Sequence, residues 1–261
     1  MKESYTEINS KAIDQWVNEG WEWGQPISHE EYEKAKAGKW DVVLTPQVKV
    51  SHNWFAPFIK KDRLDRVKLL GLASGGGQQC PIFQAIGAEV TVLDYAQEQL
   101  ENEQKVATRE NYSIDVVKAD MTKRLPFEDN TFDIIFHPVA NCYIEDVDHV
   151  WNECYRVLKP GGLLIAGMDN GFSYLFDEDG AEPTTIKYQL PYNPLKDSKI
   201  MAETLKIDGS VQFSHTMEEQ IGGQLKAGFT LTDLLEDRNT EGILKDYFPQ
   251  YILTRSVKKE G

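Results

Sequence analysis

An apolar segment that runs directly into three consecutive glycines is the feature that most constrains this chain. Residues 67–72 read Val-Lys-Leu-Leu-Gly-Leu, and Ala73 and Ser74 separate them from the glycines at 75–77. A second apolar segment, at 89–94, ends in an acid, Asp94. Glycines let a ligand approach the backbone closely, and an acid at the end of the next strand can accept hydrogen bonds from both hydroxyls of a ribose. The two segments together predict a binding site for an adenine nucleoside or nucleotide.

Apolar runs alternate with helical segments from residue 67 onwards. The runs fall at residues 67–72, 90–93, 114–117, 132–136 and 162–168, and helices are predicted at 79–86, 96–110 and 147–158. The later sequence predicts a strand at 206–216, a helix at 217–227 and strands at 229–236 and 251–257. This alternation is typical of an α/β fold, a doubly wound and mostly parallel sheet with helices on both faces.

The chain before residue 61 has a different character. It carries five of the six tryptophans and two helical segments, the second of which is capped by Ser28 with Glu31 three residues later. We predict an aromatic-rich helical cap over residues 1–60 and an α/β domain over 61–261. Residues 171–206, rich in Asp, Glu and Pro, are predicted to be an irregular insertion or lid in that domain. Among the tryptophans of the cap, Trp16 or Trp54 is expected to line a substrate pocket.

The composition favours a small-molecule partner. A net charge of −14 at pH 7 repels polyanions, so a nucleic acid is not expected as a partner. No apolar run approaches the ~20 residues of a membrane span, and no apolar signal segment begins the chain. The three cysteines form no Cys-x-x-Cys pair and the five histidines lack metal-ligand spacing. We therefore expect a cytoplasmic monomer or homodimer that neither associates with a membrane nor binds a metal. The acidic residues 177–179 are expected to form a solvated turn.

Several classes of protein bind adenine nucleotides through a glycine loop. A P-loop enzyme is excluded because Gln78 and Gln79 follow the glycines, where Lys and Ser or Thr are required. A dinucleotide dehydrogenase prefers the motif Gly-x-Gly-x-x-Gly, and the last position of that motif differs here. Because variants of the motif at its last position are tolerated, a divergent NAD-dependent dehydrogenase stays open as an alternative. A nucleoside-binding protein without catalytic activity is also left open.

Four ordered motifs resemble those of the class I S-adenosylmethionine-dependent methyltransferases, in particular the ubiquinone and menaquinone biosynthesis type. The glycine-rich motif is residues 69–77, and the acid after the second strand is Asp94. Residues 119–133, which begin Ala-Asp-Met, resemble the exit of the third strand and the start of the fourth, and residues 156–164 resemble the segment before the fifth strand. The resemblance spans residues 68–169 and implies a seven-stranded Rossmann-like sheet, S-adenosyl-L-methionine as cofactor and methyl transfer to an unidentified small acceptor.

The resemblance also implies roles for particular residues. Backbone at Ala73, Ser74 and Gly75 would lie against the methionine moiety of the cofactor, and Gly77 of the same loop is a further candidate for cofactor binding. Asp94 would bind the ribose hydroxyls. The residues implied to surround the adenine are Tyr95, Asp120 and Met121. His137 would face the sulfonium, and the candidate catalytic residues on the same loop are His137, Asn141 and Tyr143.

Two positions depart from the family pattern. Gly71 stands where the family usually has an acid, and Ala73 stands where it usually has a glycine. The missing acid removes a partner for the cofactor's amino group, and the Ala73 methyl occupies space where the backbone should pass close to the ligand. Both departures keep open a cofactor-binding protein that transfers nothing. His215, outside the motifs, is a further candidate for contact with the substrate.

Overall fold

The computed structural model describes residues 3–176 and 185–259, and the acidic turn predicted at 177–179 lies outside these residues. The described chain contains one seven-stranded sheet. Its strands in chain order are β1 Lys68–Leu72, β2 Glu89–Asp94, β3 Asp115–Lys118, β4 Phe132–His137, β5 Leu158–Asp169, β6 Phe229–Asp237 and β7 Tyr251–Lys258. They lie in the order β3-β2-β1-β4-β5-β7-β6, and β7 alone is antiparallel to its neighbours. The predicted mostly parallel, doubly wound Rossmann-like sheet is confirmed.

The helices follow the predicted alternation. They are α1 Tyr5–Asn18, α2 His29–Lys36, α3 Gln79–Ala85, α4 Gln97–Glu110, α5 Val147–Val157, α6 Ser198–Ile207 and α7 Gly223–Ala227. A capping box begins α2, in which Ser28 accepts a hydrogen bond from the Glu31 backbone and the Glu31 carboxylate accepts one from the Ser28 backbone. Gly228, in the left-handed region at φ +111°, ends α7 as the sequence predicts.

Each face of the sheet has its own hydrophobic core. One face packs against the cap through a cluster of aromatic rings, in which Phe83 lies 4.9 Å from Phe136 and 5.6 Å from Phe55 between ring centroids. The other face packs around Trp151 of α5, which is fully buried. Because β1 has β2 on one side and β4 on the other, the chain reverses its direction of growth at β1. Such a switch point opens a crevice beyond the carboxyl ends of the strands, where ligands bind.

The strand predicted at residues 206–216 is wrong. Residues 198–207 form α6, whose first turn is capped by the Asp197 side chain. The residues between α6 and position 217 pair with no strand of the sheet. The alternating apolar residues Val211 and Phe213 are buried, but their backbone nitrogens donate to Asn9 and to the Cys142 carbonyl. The alternation of apolar and polar residues therefore reflects the burial of one side of an extended loop. Such a loop produces the same two-residue period as a strand.

The N-terminal helix α1 is tied to the rest of the molecule at its middle. The Asn9 side chain donates to the backbone carbonyls of Tyr143 and Val211 at 3.0 and 2.9 Å and accepts from the Val211 nitrogen at 2.6 Å. The next residue, Ser10, donates to the Tyr95 carbonyl at 2.9 Å. These contacts place α1 across the carboxyl edge of the sheet. Within the described residues no helix has the length and apolar character needed to cross a membrane.

Candidate functional site

A cavity of about 400 Å³ lies beyond the carboxyl ends of β1, β2, β4 and β5, beneath α1. The glycine loop and the strand ends form its floor, and the cap covers it through Asn9, Ile13 and two tryptophans, Trp21 and Trp23. Trp16 and Trp54, expected from the sequence to line this space, do not. Trp16 packs on Trp21 at 5.5 Å between ring centroids, and Trp54 lies in the core. The spacing of tryptophans along the chain carries no signal that would have distinguished them.

Asp94 and the glycine loop form one hydrogen-bonded unit at the floor of the cavity. The backbone nitrogens of Gly75 and Ala96 donate to the two carboxylate oxygens of Asp94, at 3.2 and 3.0 Å. Burial raises the pKa of this carboxyl, and the two backbone donors act in the opposite direction. Each oxygen keeps a second lone pair, so the carboxylate can still accept hydrogen bonds from the two ribose hydroxyls. A Cβ at Gly75 would lie 2.7 Å from the Gln99 Cβ, so only glycine fits in this cradle.

Ala73 and Ser74 also line the cavity, but Gly77 does not. Gly77 turns away from it, and its nitrogen donates to Oε1 of Glu103 on α4 at 2.7 Å. Burial raises the pKa of Glu103 to about 8. In this arrangement Gly77 connects the loop to α4, and its contact with the cofactor stays a prediction.

The departure at Gly71 has a steric explanation. A Cβ placed on Gly71 would collide with Sγ of Cys80, which is fully buried at the start of α3. Cys80 thus fills the space beside β1 that a side chain at position 71 would need. Burial raises the pKa of the Cys80 thiol well above its usual value, consistent with the packing of a small apolar side chain rather than with reactivity.

Tyr95, Asp120 and Met121 meet at the β2 and β3 side of the cavity, as the resemblance implies. The Asp120 Oδ1 atom accepts from the Thr122 nitrogen at 2.9 Å, which fixes the carboxylate in a short turn. This arrangement leaves lone pairs on Asp120 for an amino donor, and it places an apolar side chain and an aromatic ring beside them. A planar purine matches these surroundings.

His137 and Asn141 are brought together, but they do not line the cavity. His137 is fully buried at the end of β4, with Nδ1 2.8 Å from the Leu72 carbonyl oxygen and Nε2 2.9 Å from the Asn141 Oδ1. The Asn141 amide nitrogen in turn donates to Gln220 at 2.8 Å. Burial lowers the pKa of His137. Both ring nitrogens are already hydrogen-bonded within the protein, so neither is available to a ligand. His215 lies behind the same loop, 3.0 Å from the Asn141 and Ile144 carbonyl oxygens.

Tyr143, the third candidate catalytic residue, does line the cavity. It belongs to the short 3-10 helix Asn141–Tyr143, and burial raises the pKa of its hydroxyl well above the usual value. The same end of the cavity is lined by residues that the sequence analysis did not single out, among them Asp169 at the end of β5 and Tyr251 at the start of β7. A signal for Asp169 exists in the sequence, because it ends an apolar strand in the same way as Asp94 does.

The charged side chains that line the cavity, within the described part of the chain, are all carboxylates. They are Asp94, Asp120 and Asp169, and no described Lys, Arg or His joins them. In the same residues no three His, Cys, Asp or Glu side chains are grouped to hold a metal ion. The cavity therefore suits a ligand that is neutral or cationic, and the positive sulfonium of S-adenosylmethionine fits this field.

Comparisons with known proteins agree with this site. The methyltransferase domain family matches residues 70–166. The uncharacterized methyltransferase YbaJ of Bacillus subtilis is 40% identical over 254 residues, which cover 96% of this chain and 97% of that protein. The sterol 24-C-methyltransferase of Saccharomyces cerevisiae is 32% identical over 117 residues, which cover 44% of this chain and 30% of the yeast protein.

Two solved structures share the fold. An S-adenosylmethionine-dependent methyltransferase from Mesorhizobium loti has a TM-score of 0.57 at 19% identity and covers 78% of this chain and 94% of its own. A Burkholderia thailandensis 1,6-didemethyltoxoflavin-N1-methyltransferase, solved with its substrate and S-adenosylhomocysteine, has a TM-score of 0.57 at 13% identity and covers 98% and 89%. These two structures show the fold, while the family match and the Bacillus subtilis relative favour a methyltransferase over a dehydrogenase or a binding protein without transfer activity. This chain belongs to the class I S-adenosylmethionine-dependent methyltransferases.

Proposed function

We propose that the cavity holds S-adenosylmethionine over β1–β3 and a small methyl acceptor over β4, β5 and β7. The observation that carries this proposal is the single cavity that contains both the Asp94–Gly75 unit and the Tyr143–Asp169 wall. A cavity of about 400 Å³ is in the range of small-molecule sites. It is a concave site beneath α1, which favours a small acceptor over a nucleic acid or a protein surface.

The proposed roles of the residues follow from their positions. Asp94 binds the ribose hydroxyls, and backbone at Ala73, Ser74 and Gly75 lies along the methionine moiety. Asp120 accepts a hydrogen bond from the adenine amino group, and Tyr95 and Met121 contact the adenine ring. When bound, the cofactor supplies a methyl group on a good leaving group, so the protein has mainly to align the acceptor and exclude water.

For the catalytic candidates, we propose two kinds of role. Tyr143 contacts the acceptor directly because it lines the cavity. His137 and Asn141 act as positioning residues, because their hydrogen-bonded chain connects the end of β1 through Leu72 to the turn that carries Tyr143.

The cytoplasmic location stays a prediction. It is supported by the three cysteines, all of which are unpaired and buried, as a reducing compartment permits. Fractionation of the source cells with an antibody against the chain would test it, and recovery in a membrane or secreted fraction would contradict it.

Calorimetric titration of the purified chain with S-adenosylmethionine, S-adenosylhomocysteine and NADH tests the proposed cofactor site. We expect binding of both adenosyl compounds and none of NADH. Asp94→Ala should weaken their binding by about tenfold to a hundredfold, the loss expected for a pair of hydrogen bonds to a charged group. Asp115→Ala, at an exposed acid that begins β3, is the matched control and should bind normally. Equal affinity of the Asp94→Ala and control variants would refute the role of Asp94.

A further inference from the structure

Asp169 is a buried carboxylate whose hydrogen bonding is incomplete. It ends β5 and lies directly opposite Tyr251 of β7 in the sheet register. Its Oδ1 atom accepts from the Gly171 nitrogen at 2.9 Å, but its Oδ2 atom is shielded from solvent and has no hydrogen-bond partner in the described chain. Burial raises the pKa of this carboxyl to about 6, so it is charged at neutral pH. A buried charge without a partner is costly, and such groups are concentrated at functional sites.

Among the described residues, no side chain around Asp169 supplies the missing positive charge. The titratable groups that face it are Cys142 and Tyr143 from the 3-10 helix and Tyr251 from β7, and each of these has its own pKa raised in part by the Asp169 charge. Asp208, a further acid near Cys142 and Tyr143, already accepts from Ser210. The described lining of the cavity contains no Lys, Arg or His. The compensating charge must therefore come from a ligand.

The position of Asp169 assigns that ligand to the acceptor rather than to the cofactor. In the sheet order, β5 is separated from β2, which carries Asp94, by β1 and β4. Three strand spacings correspond to about 14 Å. The carboxylate thus lies on the far side of the cavity from the ribose site, together with Tyr143 and Tyr251.

The surroundings of Asp169 are those of a site for an organic cation. Tyr143, Tyr174 and Tyr251 contribute aromatic rings, and aromatic faces attract cations. Side-chain amides complete this end of the cavity: Gln212, Asn239 and Gln250. An anionic acceptor at this end would meet the Asp169 carboxylate, and the described lining offers it no cationic side chain.

We propose that Asp169 is the acceptor-recognition group of this enzyme, and that the acceptor is a small organic amine whose protonated nitrogen binds the Asp169 carboxylate between the tyrosine rings. The inference rests on the proposed function, since it takes the β5 and β7 end of the cavity as the acceptor side. It specifies what anchors the acceptor and leaves open which of the acceptor's atoms is methylated.

The test is a binding experiment that requires no turnover. The chain is saturated with S-adenosylhomocysteine and titrated with matched probes that differ in one group: 2-phenylethylamine, 2-phenylethanol and 3-phenylpropanoate, then hexylamine, hexanol and heptanoate. Binding is followed by calorimetry and by the fluorescence of Trp21 and Trp23, which line the cavity. We expect the amine of at least one set to bind about tenfold or more tightly than its alcohol, as for a charge-assisted hydrogen bond, with no binding of the carboxylates.

The variant Asp169→Asn keeps the shape of the side chain and an oxygen for the Gly171 nitrogen, but removes the charge. It should bind S-adenosylhomocysteine as the native chain does and should lose the preference for amines. Its melting temperature at pH 8 should not fall below that of the native chain, because an uncompensated buried charge has been removed. If it does not fold, Asp169→Ser serves in its place, and the comparison of amine with alcohol on the native chain needs no variant.

Two results would overturn the inference. One is equal binding of amine and alcohol, or absence of binding, across both probe sets on the native chain. The other is a variant that loses affinity for S-adenosylmethionine but not for S-adenosylhomocysteine, which would place the carboxylate at the sulfonium. Failure of the native chain to bind S-adenosylhomocysteine at all would instead refute the proposed cofactor site, so the two failures are distinguishable.

Discussion

The backbone nitrogen of Gly75 donates a hydrogen bond to the Oδ2 atom of Asp94 at 3.2 Å. The acid at the end of the second strand therefore holds the glycine loop that follows the first strand, in addition to facing the ribose site. Because the same carboxylate shapes the loop and receives the ligand, a change on either side of this contact should affect both stability and cofactor binding. This coupling determines how variants of the loop should be interpreted.

Gly75→Ala should disrupt the contact from the loop side. Its Cβ would lie 2.7 Å from the Gln99 Cβ and 3.0 Å from the Asp94 Oδ2, and the first of these distances cannot be accommodated without a shift. We expect a loss of about 1–3 kcal/mol in the free energy of unfolding and at least about a tenfold loss of S-adenosylhomocysteine affinity. Gly222→Ala is the matched control, since a Cβ there meets only Glu218 Cγ at 3.6 Å. Native affinity of the Gly75→Ala variant would show that the loop can shift without consequence.

Ala73→Gly should stabilise the chain. Ala73 has φ +47°, in the left-handed region where a side chain is unfavourable. Relief of this strain, less the greater freedom of glycine in the unfolded chain, should raise the free energy of unfolding by about 0.5–1 kcal/mol. Urea denaturation measures the change. Ala12→Gly within α1 is the control of opposite sign and should lower stability by about 1 kcal/mol. A loss of stability in Ala73→Gly would show that the Ala73 methyl contributes more by packing than it costs in strain.

Glu103→Gln should make stability less dependent on pH. Burial raises the pKa of Glu103 from 4.5 to about 8 in the folded chain, and its Oε2 atom has no partner in the described residues. A raised folded-state pKa contributes stability that is complete below pH 4.5 and is lost as the pH rises through about 8. The variant keeps an oxygen for the Gly77 nitrogen and should exceed the native chain in stability at pH 8.5 by on the order of 2–5 kcal/mol.

Urea unfolding of both chains between pH 5 and pH 9 measures this difference. The advantage of Glu103→Gln should shrink steadily towards pH 5. Glu89→Gln, at an exposed acid that begins β2, is the control and should change stability by less than about 0.5 kcal/mol throughout. A constant difference between Glu103→Gln and the native chain at every pH would contradict the raised pKa.

His137→Leu distinguishes a positioning role from direct contact with the cofactor. It removes hydrogen bonds to the Leu72 carbonyl and to Asn141 in a fully buried site. We expect a loss of about 1–3 kcal/mol in the free energy of unfolding, because the partners lose their buried hydrogen bonds. S-adenosylhomocysteine affinity should stay within about twofold, a difference of about 0.4 kcal/mol.

Thermal denaturation and calorimetry of the same preparations measure the two quantities for His137→Leu. Lys206→Ala, at an exposed lysine in the last turn of α6, is the control and should change neither. A His137→Leu chain that keeps its stability and loses cofactor affinity would instead place the imidazole at the ligand, as the sequence resemblance implies.

Most of the fold was predictable because its signals are local. The strands from β1 to β5 contain apolar runs, and the helices between them show a periodicity that neighbouring residues determine. The strand predicted at 206–216 failed for the same reason. An extended loop that is buried on one side shows the same alternation of apolar and polar residues as a strand. In the structure, the Val211 nitrogen donates to the Asn9 side chain instead of to a neighbouring strand.

The site divides in a similar way. The Asp94, Asp120 and Met121 positions follow from motifs at strand ends, and the structure brings these residues to one cavity. His137 also ends a strand, but whether a strand-end side chain faces the cavity or the core depends on what packs against it. Here Asn141 and Gln220 enclose the ring.

The sequence by itself determined the sheet, the glycine loop and the acid that holds it, because each depends on residues close together in the chain. The tertiary structure alone decided which tryptophans reach the ligand, why Gly71 cannot carry a side chain beside Cys80, and that Asp169 is left with an unpaired oxygen. Those properties arise from contacts between segments that are distant in sequence, and burial and pKa are set by the sum of such contacts rather than by any local pattern.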